Sequence, residues 1–219
     1  MQQVMVEVSR SYGLRFRLGT ALAPVTDADV VFYSNASDFR RDVVMSRAFR
    51  GSHMIRDPRD LVVSGYEYHL VTTELWAHEP RADCAGMTYQ AYLRSLPEYE
   101  GLMAEIRWFS SATGAQMAAW NYRQPEFLEL RYEDVLSDES ASFAALFRWW
   151  GFSDAATTRG LEIAARLSRA NGGARPTHQI RMSSPGEWRE RLSEAHIDEF
   201  KHTTGDLLVR LGYESSTDW

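Results

Sequence analysis

The string Arg56-Asp57-Pro58-Arg59-Asp60, followed by Ser64, brings together residue types that hold a phosphate. An arginine presents five N–H donors in a planar fork that suits anionic oxygen pairs. Asp57 followed by Pro58 is a helix start, with the aspartate as N-cap and the proline at the first helical position. A helix N-terminus offers unpaired N–H groups and a partial positive charge, a natural seat for an anion. Ser64 lies seven residues beyond Asp57. That is close to two helical turns, so its hydroxyl falls on nearly the same face as the cap. Asp57 and Asp60 keep the cluster from being purely basic and are placed to orient Arg56 or Arg59. The competing reading of these letters is a surface Arg–Asp pair beside a capped helix.

A second group lies further along. Ser183-Ser184-Pro185-Gly186 is a turn sequence flanked by Arg181 and Arg189. Successive backbone N–H groups of such a turn can form an anion nest. Trp188 beside it either stacks on a purine or anchors the loop in the core; anchoring is the expectation. For proton transfer the candidates are His69 and Glu67 on the helix after the cap, and His178 near the turn. His69 follows Ser64 by five residues, about 500° around the helix and off the phosphate-facing side. That position suits a general base facing an acceptor, and equally an ordinary half-buried histidine. His53 falls in a strand and is read as structural. His196 and His202 belong to the last helix and receive no role. Tyr66, Tyr68, Trp76 and Trp108 either line an acceptor pocket or belong to the core.

These residues need a frame to position them. Val4, Met5, Val8 and Tyr12 have helical spacing, with Gly13 as the stop. Asp29–Ser34 is a nearly continuous apolar run, as in a strand buried on both faces of a parallel sheet. Ser52–Arg56 and Phe127–Arg131 are two further strands. Helices are predicted from Pro58, over Thr88–Ser95, Glu98–Tyr122, Ser140–Trp150 and Asp154–Ala170, and over Glu194–Leu211 with Gly212 as the stop. Strands separated by helices imply an α/β fold, a parallel β-sheet flanked by helices on both faces. No repeat or long linker interrupts the chain, and its 219 residues suit a single domain, 1–219.

Composition narrows the partners. The net charge of −6 and the pI near 5.5 argue against nucleic acid. An anionic ligand must therefore be held by local groups and not by a general positive field. Of the 24 basic residues Lys201 alone is a lysine, so no residue before it can supply an amine to a site. Cys84 stands alone, which excludes an intramolecular disulfide and a cysteine-based zinc cluster, and fits a reducing, cytoplasmic setting. No ligand spacing points to a metal. No apolar run is long enough for a membrane span, and the first residues lack the pattern of a signal peptide.

Taken whole, HMIRDPRDLVVSGYEYH resembles the 3′-phosphate-binding segment of the PAPS-dependent sulfotransferases, R-[DN]-P-x-D-x-x-x-S (PAPS is 3′-phosphoadenosine 5′-phosphosulfate; PAP, adenosine 3′,5′-bisphosphate, is its product). Leu130-Arg131-Tyr132-Glu133-Asp134 resembles the family's YED motif at a strand end. Arg181, Gly186 and Trp188 resemble its R-K-G-x-x-G-[DE]-W-[KR] loop, and LLVRLGYE resembles its usual ending. The matches occur in family order over roughly residues 29–214. The resemblance implies a P-loop NTPase-like sulfotransferase fold with PAPS as donor, PAP as product and no metal. It implies transfer to a hydroxyl or amine of a small-molecule, glycan or lipid acceptor. It assigns Arg56 and Ser64 to the 3′-phosphate, Tyr132 to the nucleotide, and Arg181, Ser183 and Gly186 to the loop over that phosphate.

Two departures stand out. The family's P-K-S-G-[TS]-[TS]-W loop, which cradles the 5′-phosphosulfate, has no counterpart: no glycine precedes Gly13, and no lysine lies there. MQQVMVEVSRSYGLRFRLG resembles the helix after that loop, so the first strand and P-loop are expected to be absent. Truncation is one explanation. The other is a pseudoenzyme, a non-catalytic PAPS- or PAP-binding or scaffold protein of the same fold. The family histidine upstream of the arginine is also missing; Phe32-Tyr33-Ser34-Asn35-Ala36 occupies that region. His69 is then the candidate catalytic base.

Overall fold

The computed structural model describes residues 1–19, 25, 27–33, 48–168 and 184–219. In chain order the elements are α1 (Gln2–Ser11), β1 (Phe16–Gly19), β2 (Val30–Tyr33), β3 (Gly51–Ile55), α2 (Pro58–Val71), α3 (Tyr89–Ser95), α4 (Glu98–Phe109), α5 (Ala115–Ala119), β4 (Phe127–Arg131), α6 (Tyr132–Ser137), α7 (Glu139–Trp149), α8 (Asp154–Leu167), α9 (Trp188–Arg191), α10 (Glu194–Thr204) and α11 (Leu207–Arg210). They form two compact units, each built from two stretches of chain: residues 1–55 with 121–177, and residues 56–120 with 178–219.

The first unit carries the four described strands. β1 pairs with β2 and β3 with β4, both in parallel, in registers running from Phe16↔Val30 and from Gly51↔Phe127. Parallel partners need a long crossover, so these pairs flanked by helices are the expected α/β architecture. β1 is an addition to the strands read from sequence. Its four residues include an exposed arginine and are too few for a clear alternation. Its start is fixed by Arg15, whose backbone N–H and guanidinium Nε and Nη2 all donate to the Asp29 carboxylate, at 2.8, 3.1 and 3.2 Å. Beneath the strands, α1 buries Val4, Met5 and Val8 against Phe143 and Phe147 of α7 and Ile163 of α8. His53 and Glu129, opposite each other on β3 and β4, meet at 2.7 Å, which bears out the structural reading of His53.

The second unit packs α2 against α4 and α3, with Val63, Tyr66, Leu93, Leu102 and Trp188 in its core. Glycines let α2 and α4 approach closely. A Cβ on Gly65 would lie 2.6 Å from Glu105 Oε1, and one on Gly101 would lie 2.6 Å from the Tyr66 ring. Two helices are shorter than predicted. The one expected over Glu98–Tyr122 gives way to a π turn at Ser110–Gly114 and ends at Ala119. Ser110 Oγ bonds back to the Ile106 carbonyl at 2.7 Å and lies 2.9 Å from Thr203 Oγ1; such back-bonding bends helices. The one expected over Glu194–Leu211 stops at Gly205, whose φ of 59° is left-handed, and resumes as α11. Among the described residues no helix is long and apolar enough to cross a membrane.

Candidate nucleotide-phosphate site

β3 ends at Ile55 and α2 begins at Pro58, so Arg56 and Asp57 form the strand-to-helix junction. Asp57 Oδ1 accepts the Arg59 backbone N–H at 2.9 Å, the N-cap expected of Asp-Pro. Arg56 is 7% exposed, a rare burial for an arginine. Ser64 is half-buried on α2. The second unit therefore carries Arg56, Ser64 and Gly186. Tyr132 belongs to the first unit; it is half-buried and follows β4 directly as the first residue of α6. Arg181, Ser183 and His178 lie outside the described residues.

The rest of the RDPRD string faces inward. Arg59 is 1% exposed and pairs bidentately with Asp57, Nε to Oδ1 at 3.0 Å and Nη2 to Oδ2 at 2.8 Å. Its Nη1 reaches Glu214, and its guanidinium carbon lies 3.9 Å from the Trp188 ring centroid and 4.5 Å from that of Trp219, two rings that meet edge to face. Trp188 is 7% exposed and anchors its loop in the core, as expected.

Asp60 supplies an anion that the sequence reading left out. Its carboxylate accepts the N–H groups of Gly186 at 2.7 Å and of Trp188 at 3.2 Å. The turn does use backbone N–H groups to seat an anion, and for these two the anion is a side chain of the same protein. Gly186 has a φ of 84°, the left-handed bend that brings its N–H round to Asp60. Burial pushes the Asp60 carboxyl above its ordinary range. The two N–H bonds and the Arg56 charge oppose that rise, and the Asp57 charge adds to it.

His69 sits in a second buried polar cluster. Its Nδ1 lies 2.8 Å from Glu105 Oε2, which also accepts the Tyr89 hydroxyl at 2.9 Å. Burial, with the Glu105 charge adding to it, pushes the Tyr89 hydroxyl far above its usual range, so it stays a donor. Trp76 and Trp108 stack at 5.5 Å, and Tyr89 and Trp108 at 4.5 Å. Both tryptophans pack on the core that holds Tyr66. Glu67 is held by Arg191 at 2.7 Å.

A nucleotide 3′-phosphate suits the donors at the junction: a buried guanidinium, the start of α2 and a hydroxyl two turns along. The Asp57 carboxylate would repel it, but Arg59 engages both of its oxygens. The 5′-phosphosulfate finds no such set among the described residues. Lys201, the one lysine, donates to the Trp219 backbone oxygen and lies 4.7 Å from that ring. The sequence reading placed Asp57 to orient an arginine but missed Glu214 as a partner of Arg59, and the partners of Asp60 and His69. These lie 36 to 155 residues away, beyond any local pattern.

The parallel strand pairs, the capped helix after β3 and the strand-end tyrosine are arranged on a sulfotransferase fold. The chain is similar to the crystal structure of mouse sulfotransferase SULT7A1 complexed with PAP. The likeness covers 94% of this chain and 79% of that one, with a TM-score of 0.58 and 13% sequence identity. At that identity the likeness establishes the fold. No protein-family model and no curated protein matches the chain.

Proposed function

We propose that this chain is a PAPS-dependent sulfotransferase domain. The observation that carries the reading is Arg56, buried at the junction of β3 and the Asp57-capped α2, with Ser64 two turns along. Bound PAPS would supply the sulfuryl group for a hydroxyl or amine of a small-molecule, glycan or lipid acceptor. Arg56 would pair with the 3′-phosphate, and Ser64 would add a hydroxyl donor. Tyr132 would meet the nucleotide. Arg181 and Ser183 would approach the same phosphate, with Gly186 supplying the bend of their loop. His69 is the proposed general base: Glu105 holds its Nδ1, leaving Nε2 to accept the acceptor's proton.

Calorimetric titration with adenosine 3′,5′-bisphosphate tests the seat. Arg56→Ala should weaken binding roughly tenfold to a hundredfold, the worth of a charge-assisted hydrogen bond of about 1.5–3 kcal/mol; undiminished binding would overturn the reading. For the base, His69→Gln should slow transfer from PAPS to phenol and amine acceptors about a hundredfold or more, with adenosine 3′,5′-bisphosphate affinity unchanged. An undiminished rate would remove His69 from that role.

A further inference from the structure

We propose that Arg59 is a positioning residue for the phosphate seat: it locks Asp57 into the α2 N-cap and offsets its charge, so that the junction can accept an anion. This rests on the reading of Arg56 and Ser64 as 3′-phosphate ligands.

The two arginines of the string divide the work. Arg59 holds Asp57 through three bonds, from its backbone N–H and from Nε and Nη2. Another nitrogen, Nη1, goes to Glu214, and the rings of Trp188 and Trp219, set edge to face, lie beside the guanidinium. Nε, Nη1 and Nη2 each donate to a carboxylate of the protein, so this guanidinium is not placed as a phosphate ligand.

Asp57 makes such a partner necessary. It caps the helix whose start is the proposed seat, and it is the chain neighbour of Arg56. An unpaired carboxylate there would compete for the Arg56 guanidinium and repel a phosphate dianion. Pairing with Arg59 keeps the cap, a favourable role for aspartate at a helix N-terminus, while offsetting its charge. Burial works against the charge of Arg59, but the hydrogen bonds and charges of Asp57 and then Glu214 outweigh it and hold the guanidinium protonated.

The test compares adenosine 3′,5′-bisphosphate with adenosine 5′-monophosphate, which lacks the 3′-phosphate, by calorimetry on variants whose melting is followed by circular dichroism. Arg59→Met keeps an apolar stem beside the indoles and removes charge and fork. It should lose at least about tenfold in bisphosphate affinity while monophosphate affinity stays within about twofold. Adding Asp57→Asn, which retains a good N-cap, should restore most of the loss. Should Arg59→Met not fold, Arg59→Lys keeps the charge without the fork and should show the same selective loss, about threefold or more. Unchanged bisphosphate affinity, an equal loss for both nucleotides, or no rescue by Asp57→Asn would overturn the proposal. Failure of the seat reads differently: Arg56→Ala would then bind bisphosphate as the wild type does, or the wild type would not bind it.

Discussion

Asp60 shows how much one buried side chain can organise. It is 1% exposed, yet it draws the backbone of Gly186 and Trp188, more than 120 residues along, onto the start of α2. The cost is electrostatic, since burial raises its pKa in the folded state. Because that value lies above the unfolded one of about 3.9, the contribution of this group is fully present below the unfolded pKa. It is lost as pH rises through the folded pKa. Wild-type stability relative to Asp60→Asn should therefore increase as pH falls from neutral toward about pH 4. Melting both proteins across that range checks it; a constant difference would show that Asp60 carries no such linkage.

At the scale of elements, α2 and α4 trade helix propensity for proximity. Glycine inside a helix costs about 1 kcal/mol relative to alanine, and both helices accept that cost where they cross. Gly65→Ala would gain propensity but drive a methyl to 2.6 Å from Glu105 Oε1. That carboxylate is tied by His69 and Tyr89 and has little room to yield. The expected outcome is a net loss of about 1–3 kcal/mol, read by denaturant unfolding. The start of α10 uses His196 in a capping box. Its Nδ1 accepts the Ser193 backbone N–H at 3.0 Å and its Nε2–H donates to the Tyr99 carbonyl at 2.9 Å. Ser193→Ala should cost about 1 kcal/mol in the same measurement.

For the whole molecule, a net charge of −6 means that an anionic nucleotide is not steered in by a favourable overall field. Long-range repulsion is screened by salt, with a Debye length that shortens from about 30 Å at 0.01 M to about 8 Å at 0.15 M. Association of adenosine 3′,5′-bisphosphate, followed by stopped flow, should therefore become faster over that range. A rate that falls steeply with added salt would reveal a local positive field strong enough to dominate the total. The division into two units belongs to this scale as well, since each draws on chain segments far apart in sequence.

What the sequence determined by itself is the set of features that depend on neighbours within a turn or two. These include the Asp57-Pro58 start of α2, the apolar stripe Val4, Met5 and Val8 of α1, and the strands β2, β3 and β4. Sterics, capping and side-chain period act over a few residues, so their signals are written locally. The tertiary structure decided the rest. β1 became a strand by pairing beside β2, with Arg15 tied to Asp29. The helices broke at Ser110 and Gly205, where a contact to Thr203 and a left-handed glycine overrode an apolar period that continued through them. Above all it decided the orientation of the RDPRD string. Four charged residues around one proline have no face until Trp188, Glu214 and Trp219 arrive from the far end of the chain. Bonds to those distant parts of the chain commit Arg59 and Asp60 to the interior.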